Sequence, residues 1–510
     1  MSTVPDGIIK VSINIDGLPL SKSSQKQLWP ILGSVKPFKN VFVIGIYYGE
    51  EKPKDVNDFL KDFVIEAKQL CTEGIYIKDI LLQCTIDSLI CDMPAKSFVL
   101  CTKGHSGYSS CPSCIIEGLA VWDINGRVCF PQIRTHKRTD DDFINKTDDE
   151  YHNPRITSCL LEIPGFGPVT NVPTDPMYLL YLGIMRRMLN LLISGDLQYR
   201  LPNVEVERIS SYLENEIALH IPNDFARKPR SLKFIKLWKA TEFRQILLYT
   251  GPVALRSLHR DIYNHFVTLH VVVRIISDEK LFDLLDYAQE LVEHFISSFQ
   301  LLYGAHNVSS NVHQSEHLIS YVKRFGQIQN FSAFIYENHM QIFKNLLRKP
   351  NQQLQQIVRR CAEQEKNRSV LTPLIPRVAE FSLNVKSAHG DGPLLFGCIN
   401  PQYKVIKSSS TSLHAASCAD NCCSLNDGTI ILIQNIAYCS QRKIPVVIGN
   451  EFLIKENLFL VPCDSAILDI FLVYNLSHLK SWPLTNVDKK YMKLPYLDNK
   501  FAVLPLLHSD

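Results

Sequence analysis

The sequence predicts a mixed α/β chain with a sheet-bearing N-terminal region, a large helical middle and a small, mostly β C-terminal domain. Three observations carry this. "IIKVSINI" at 8–15 and "NVFVIGIYYG" at 40–49 read as strands. From about 175 to 365, "MYLLYLGIMRRMLNLLI", "VERISSYLENEIALHI", "LRSLHRDIYNHFVTLHVVVRII" and "KLFDLLDYAQELVEHFISSFQLLYG" repeat their apolar residues at helical spacing. After about 380, "DGTIILIQNIAYC", "KIPVVIGNEFLI", "NLFLVP" and "ILDIFLVYNL" are short β-type runs separated by turn signals.

Taken in order, the first strand alternates strictly. Ile9, Val11, Ile13 and Ile15 share one face and polar residues the other, which predicts a half-buried strand. The more continuously apolar 40–49 run is the second. "VNDFLKDFVIEAKQL" at 56–70 has helical spacing, and "IYIKDILLQCTIDSLICD" at 75–92 supplies one or two further strands. Strand, strand, helix, strand is the opening of a mixed sheet. Residues 115–170, with "RTDDDFINKTDDEYHN", predict a solvated loop or insertion, and "SLHAASCADNCCSLND" predicts a loop before the C-terminal strands. The resulting division is 1–175, 176–310 (helical), 311–365 and 366–510 (β-rich).

The chain has 510 residues, 46% hydrophobic and 21% charged, a folded-protein composition too long for one simple core. A formal net charge of +3 neither demands nor excludes nucleic acid, because a nearly neutral protein can be basic along one groove. The N-terminus lacks a charged segment followed by an apolar one, and no run of about 18 apolar residues occurs, so neither a secretory signal nor a membrane span is expected. The 15 cysteines, without such a signal, predict reduced thiols, some on metal, in cytosol or nucleus.

Chemistry concentrates in "CDMPAKSFVLCTKGHSGYSSCPSC", residues 91–114. Asp16 and Asp92 each close a strand. Two acids at neighbouring strand ends suit Mg²⁺, which prefers oxygen ligands; solvated strand ends are the commoner use of such acids. Asp87, mid-strand and on the opposite face, ranks below Asp92. The Cys111/Cys114 pair has zinc spacing but needs two more ligands. His313 and His317, four apart on an expected helix, are the best candidates, with His105 or Cys101 as local substitutes. A redox role is disfavoured because the pair does not open a helix after a core strand.

Four blocks, "INIDGLPLSKSSQKQLWPILG", "CDMPAKSFVLCTKGHSGYSSCPSC", "FARKPRSLKFIKLWKATEFRQILLYTGPV" and "FSAFIYENHMQIFKNLLR", together resemble the transposases of CACTA (En/Spm) DNA transposons, in particular the animal transposase domain-containing relatives. The resemblance runs from about residue 8 to about residue 365, with the blocks in the family's order. It implies an RNase H-like catalytic core interrupted by a large helical insertion. It implies a catalytic triad of Asp16, Asp92 and Glu337 holding two Mg²⁺ (or Mn²⁺) for in-line attack on DNA phosphodiesters, first by water and then by a 3′-hydroxyl. By analogy with the V(D)J recombinase, Cys111, Cys114, His313 and His317 would hold one Zn²⁺ that pins the insertion to the core. Arg227, Lys228, Arg230 and Lys233 would meet the DNA backbone. Partners would be double-stranded transposon ends, a second copy of the chain and a separate end-recognition protein, in the nucleus and with no membrane.

The sequence departs from the family twice. Where relatives show D-x-M-H, this chain has Asp175-Pro-Met-Tyr178. The chain also begins about 15 residues before Asp16, leaving no room for the family's end-recognition region. The intact triad favours an active transposase. The two departures favour a catalytically silent, transposase-derived scaffold that binds DNA or protein. An unrelated zinc-binding structural protein is the third reading.

Overall fold

The structure, a computed structural model, describes residues 7–21, 24–104, 106–121, 127–349, 351–371, 384–408, 411–415 and 417–507. It is a mixed α/β chain with a helical middle and a β-rich C-terminal part. The chain divides into two compact units, Met1–Ile184 with Ile296–Pro373, and Met185–Phe295 with Leu374–Asp510. The expected boundaries at 176, 310 and 365 therefore shift. Most of the helical stretch belongs with the C-terminal strands and does not stand as a domain of its own.

In the first unit, strands β1 (Ile8–Ile15), β2 (Leu18–Ser21), β3 (Ser24–Val35) and β4 (Val41–Gly49) lead into helix α1 (Val56–Glu73). Strands β5 (Ile75–Ile77) and β6 (Ile80–Ile90) follow, and then helix α2 (Met93–Val99). β4 pairs with β3, β3 antiparallel with β1, β1 parallel with β6, and β6 antiparallel with β5. β2 adds a short hairpin to β3. Asp55 caps α1 by accepting from the Asn57 and Asp58 amides at 2.8 and 3.2 Å. Gly74, at φ 73°, ends the helix where a Cβ would lie 2.6 Å from the Leu82 carbonyl oxygen.

Of the odd residues of β1, Ile13 and Ile15 are buried and Ile9 and Val11 half-buried. Ile13 and Ile15 pack with Trp29, Ile31 and the α1 residues Leu60, Phe63 and Val64. Full burial of such a side chain contributes about 1.5–3 kcal/mol. Toward the end of the strand the half-buried expectation fails, because Ser12 and Asn14 are buried too, while Ile8 and Lys10 stay exposed. The second face is covered by the helix Phe334–Leu346. Its Tyr336 hydroxyl lies 2.8 Å from Ser34 Oγ and donates to the Ser12 carbonyl at 3.4 Å. Ser88 Oγ donates to Ser12 Oγ at 2.8 Å, and Asn14 Nδ2 donates to the Ile90 carbonyl at 2.8 Å. The polar strand face is thus partnered by β6 and by the Tyr336 hydroxyl of an otherwise apolar helix face, and hydrophobic periodicity cannot register such a match.

The stretch 115–170 is not a solvated insertion. It is largely irregular, yet Phe130, Phe143, Tyr151, Leu160 and Ile163 are buried. Arg138, 4% exposed, anchors it. Its Nη2 donates to Asp148 Oδ2 at 2.8 Å and to the Cys114 carbonyl at 3.2 Å, and the guanidinium lies over the Tyr151 ring.

The second unit combines helices such as Asn203–Ser211 and Arg260–Ile275 with an antiparallel sheet. Ile430–Cys439 pairs with Cys422–Leu425, which pairs with Val487–Leu497, then Lys500–Pro505, Phe471–Leu476 and Ile444–Asn457. That last strand returns to Ile430–Cys439, so six strands close into a ring. The expected loop "SLHAASCADNCCSLND" holds the strands Ser412–His414 and Cys422–Leu425. Cys422 and Cys423 alternate into separate apolar clusters as strand neighbours do, and small residues of low β-propensity hide that pattern. Helices and strands share buried charge. Arg274 donates to the Pro505 and Leu248 carbonyls at 2.8 and 2.9 Å, and Lys490 lies between Asp224 and Asp420 with all three buried. These links place the 185–295 helices with the C-terminal strands. No helix among the described residues is long and apolar enough to cross a membrane.

Candidate functional site

Two side-chain constellations stand out, both in the first unit. The first gathers Cys111, Cys114, His313 and His317, whose four ligand atoms all lie within 4.8 Å of one another and are all buried. Cys111 Sγ is 3.5 Å from His317 Nε2, and Cys114 Sγ is 3.2 Å from His313 Nε2. Zn–S and Zn–N bonds of about 2.3 and 2.0 Å at a tetrahedral angle put sulfur and nitrogen about 3.5 Å apart, so the set fits a zinc-sized ion.

Local structure fixes each donor. The cysteine turn is held by Arg138 N donating to the Ser113 carbonyl at 2.9 Å, and Ser113 Oγ lies 2.5 Å from the Tyr321 hydroxyl. The histidines lie on Ser310–Gln314 and the tighter turn Ser315–His317 that continues it, so the expected i, i+4 facing is kept. Phe130 stacks on His313 and, with Ile116, walls the cluster. His313 Nδ1 lies 3.8 Å from Glu316 Oε2, and neither atom has a hydrogen-bond partner. Glu316 Oε1 accepts from the Arg134 amide at 2.5 Å. At 3.8 Å the carboxylate faces the outer nitrogen of His313 without a hydrogen bond to it.

Burial pushes the Cys111 thiol up. Hydrogen bonding from Cys114 and the flanking His317 and His313 outweigh it and hold Cys111 well below the ordinary thiol range, while that same bond, burial and the Cys111 charge push the Cys114 thiol well up. His105, the proposed local substitute, lies outside the described residues, and Cys101 is not in the cluster.

The second constellation is carboxylate. β1 and β6 run parallel with Asn14 opposite Ile90, so Asp16 and Asp92 each stand two residues beyond that pair at adjacent strand ends. Asp92 also caps α2, accepting from the Ala95 amide at 2.7 Å. Asp16 Oδ1 accepts from the Gly17 amide at 2.6 Å. Glu337 arrives in the first turn of the Phe334–Leu346 helix, one residue after the Tyr336 that docks that helix on the sheet. Tyr178 joins the acids. Its hydroxyl donates to Glu337 Oε1 at 2.7 Å and lies 3.5 Å from Asp16 Oδ2.

Burial, then the charges of Asp92 and Glu337, push the Asp16 carboxyl up to about 8. Crowded acids of this kind are what a cation would stabilise. The three carboxylates are not drawn together as tightly as the Cys/His donors; among the described residues only the latter gather within 4.8 Å. Asp87 is engaged elsewhere, 2.5 Å from Lys36 Nζ.

Sequence reasoning assigned no role to Asp175 itself. Fully buried, it accepts from the Met177, Tyr178 and Ala333 amides at 3.2, 3.0 and 2.7 Å. One carboxylate thereby fixes the start of the Tyr178 segment and the start of the Glu337 helix. Burial raises its carboxyl to about 6. Lys96, also buried, donates to the Pro173 carbonyl at 3.0 Å, and burial lowers its ammonium to about 8. The only sequence signal for either was its place inside a quoted motif.

The four basic candidates belong to the second unit and differ in availability. Arg230 pairs with Glu242 at 2.6 Å and Lys233 with Glu207 at 2.9 Å, while Arg227 and Lys228 are exposed. A family described as "Domain of unknown function (DUF8592)" matches residues 388–506, the stretch that builds the closed ring of strands. No curated protein matches the chain.

Proposed function

We propose that the chain is a metal-dependent enzyme of DNA phosphodiester cleavage and strand transfer, a CACTA-type transposase or a close derivative, with an RNase H-like core. The observation that carries this reading is the convergence of Asp16 and Asp92, at adjacent parallel strand ends, with Glu337 from more than 200 residues further along the chain. The strand sequence β4-β3-β1-β6, with only the β1–β6 pair parallel, supports an RNase H-like core.

Asp16, Asp92 and Glu337 would hold Mg²⁺ or Mn²⁺. When bound, the ions supply activation of the attacking oxygen and charge stabilisation at the leaving one. The chain's own part is to hold these acids at one point, with Asp92 set by its capping bond and Glu337 by the docked Tyr336. Zn²⁺ would sit on Cys111, Cys114, His313 and His317. With four protein donors that site is closed, so its role is structural. It ties 111–114 to 313–317 and sets the approach of the Glu337 helix. Arg227 and Lys228 are the better candidates for phosphate contact, since Arg230 and Lys233 already face acids. The partners would be double-stranded transposon ends, a second copy and a separate end-recognition protein, in the nucleus.

The Tyr178–Glu337 bond favours the alternative, a catalytically silent scaffold, because it occupies a triad oxygen. The deciding experiment is Mn²⁺-dependent cleavage of DNA carrying element ends by the wild type, Asp92→Asn and Glu337→Gln. Cleavage by the wild type alone supports the enzyme. Equal cleavage by all three refutes the triad, and no cleavage by any favours the scaffold.

A further inference from the structure

The bond from Tyr178 to Glu337 bears directly on how the carboxylate site would take up a cation. The phenol has one proton to donate and gives it to Glu337 Oε1 at 2.7 Å. The Tyr178 hydroxyl oxygen also lies 3.5 Å from Asp16 Oδ2, so it stands where the two acids face one another. A divalent ion of the Mg²⁺ class needs carboxylate oxygens at about 2.0–2.1 Å and does not share that space with a phenol.

Neither partner is placed by chance. Asp175 accepts from the Tyr178 amide and from the Ala333 amide at the start of the Glu337 helix. A single buried carboxylate therefore sets the separation between the tyrosine and the glutamate. Tyr178 sits at the start of the π-helical turn Met177–Met185, and Glu337 is further held through Tyr336 against Ser34. The phenol's reach across to Glu337 is thus fixed from both sides.

We propose that Tyr178 is a latch on cation entry: its hydroxyl holds Glu337 in the cation-free arrangement and must release Glu337 Oε1 before Asp16 and Glu337 can share a divalent ion. This rests on the carboxylate-site reading above and adds a regulatory element to it. The latch makes occupancy conditional. A cation, or a cation brought with a phosphodiester, has to compete with an internal hydrogen bond to a charged group.

The test is Mn²⁺ binding to the purified full chain, followed by the loss of the free-ion electron paramagnetic resonance signal. Wild type, Tyr178→Phe, Tyr178→His and Asp92→Asn are compared, each first checked by circular dichroism and thermal melting. Tyr178→Phe removes only the hydroxyl and is expected to bind Mn²⁺ about tenfold more tightly, the scale of a hydrogen bond to a charged group. Tyr178→His, whose ring is too short to span the same gap, is expected to move in the same direction. Asp92→Asn keeps an N-capping side chain and is expected to bind at least tenfold more weakly. If Tyr178→Phe binds equally or more weakly while Asp92→Asn still loses affinity, the latch is wrong and the cation site stands. If neither the wild type nor Tyr178→Phe binds Mn²⁺, both the latch and the site reading fall.

Discussion

Replacing Cys114 by Ser should remove the metal and loosen the first unit. The ion would link Cys114 to His313, 199 residues away in sequence. Treated as a cross-link that closes a loop of this length in the unfolded chain, it contributes about 5 kcal/mol of stability. At roughly 2–4 °C per kcal/mol for a unit of this size, the first unfolding transition should fall by about 10 °C or more. The assay is zinc stoichiometry by elemental analysis beside differential scanning calorimetry. A chelator should bring the wild type down to the melting temperature of the variant. His317→Asn should repeat the effect, and the double variant should add little, because either change breaks the same link. Wild-type protein that carries no zinc after expression in zinc-supplemented medium, or a Cys114→Ser variant with unchanged melting, would refute the argument.

Three further predictions follow from the packing. Tyr336→Phe loses the hydroxyl's contacts with Ser34 and Ser12 and should cost about 1–2 kcal/mol, read as a lower urea midpoint; an unchanged midpoint would mean the hydroxyl does not anchor the Glu337 helix. Lys490→Met leaves Asp224 and Asp420 buried without their cation and should cost about 3–5 kcal/mol in the second unit, with Asp420→Asn in the same background recovering part of it. Burial lowers His265 and His270 to about 3, so the folded state refuses protons that the unfolded state accepts below about 6.5. Stability should therefore fall as pH drops from about 6.5 toward 3, by about 1.4 kcal/mol per pH unit for each histidine, and a flat urea midpoint across that window would contradict their burial as neutral rings.

What the sequence made legible follows its signals. β1, β4, α1 and β6 lay within a residue or a few of their expected positions because their apolar spacing is regular. β3 escaped, since "SQKQLWPILGSV" carries Pro30 and Gly33 and does not alternate cleanly. The Cys/His cluster was expected in full: the Cys111/Cys114 spacing made His313 and His317 the best candidates, with His105 and Cys101 left open as substitutes, and the resemblance joined the four. Asp175 and Lys96 could not be read in advance, because their roles come from amides and carbonyls supplied by segments distant in the chain. Arg138 was hidden inside an acidic run that looked solvated. The split into two units was also beyond reach, since it depends on where buried charges such as Arg274 and Lys490 find partners.

The wide separation of the donors has a consequence for biosynthesis. Asp16, Asp92 and the Cys111/Cys114 pair leave the ribosome early, but His313, His317 and Glu337 follow only after the helical stretch 185–295. At about 5–20 residues per second, Glu337 trails Asp92 by roughly 10–50 s. During that interval the nascent chain carries an unpaired dithiol open to oxidation and two of the three acids. The late histidines complete the metal cluster, and the last acid follows them by only 20 residues of sequence. The order of translation thus delays any cation chemistry until the chain is nearly able to close around it.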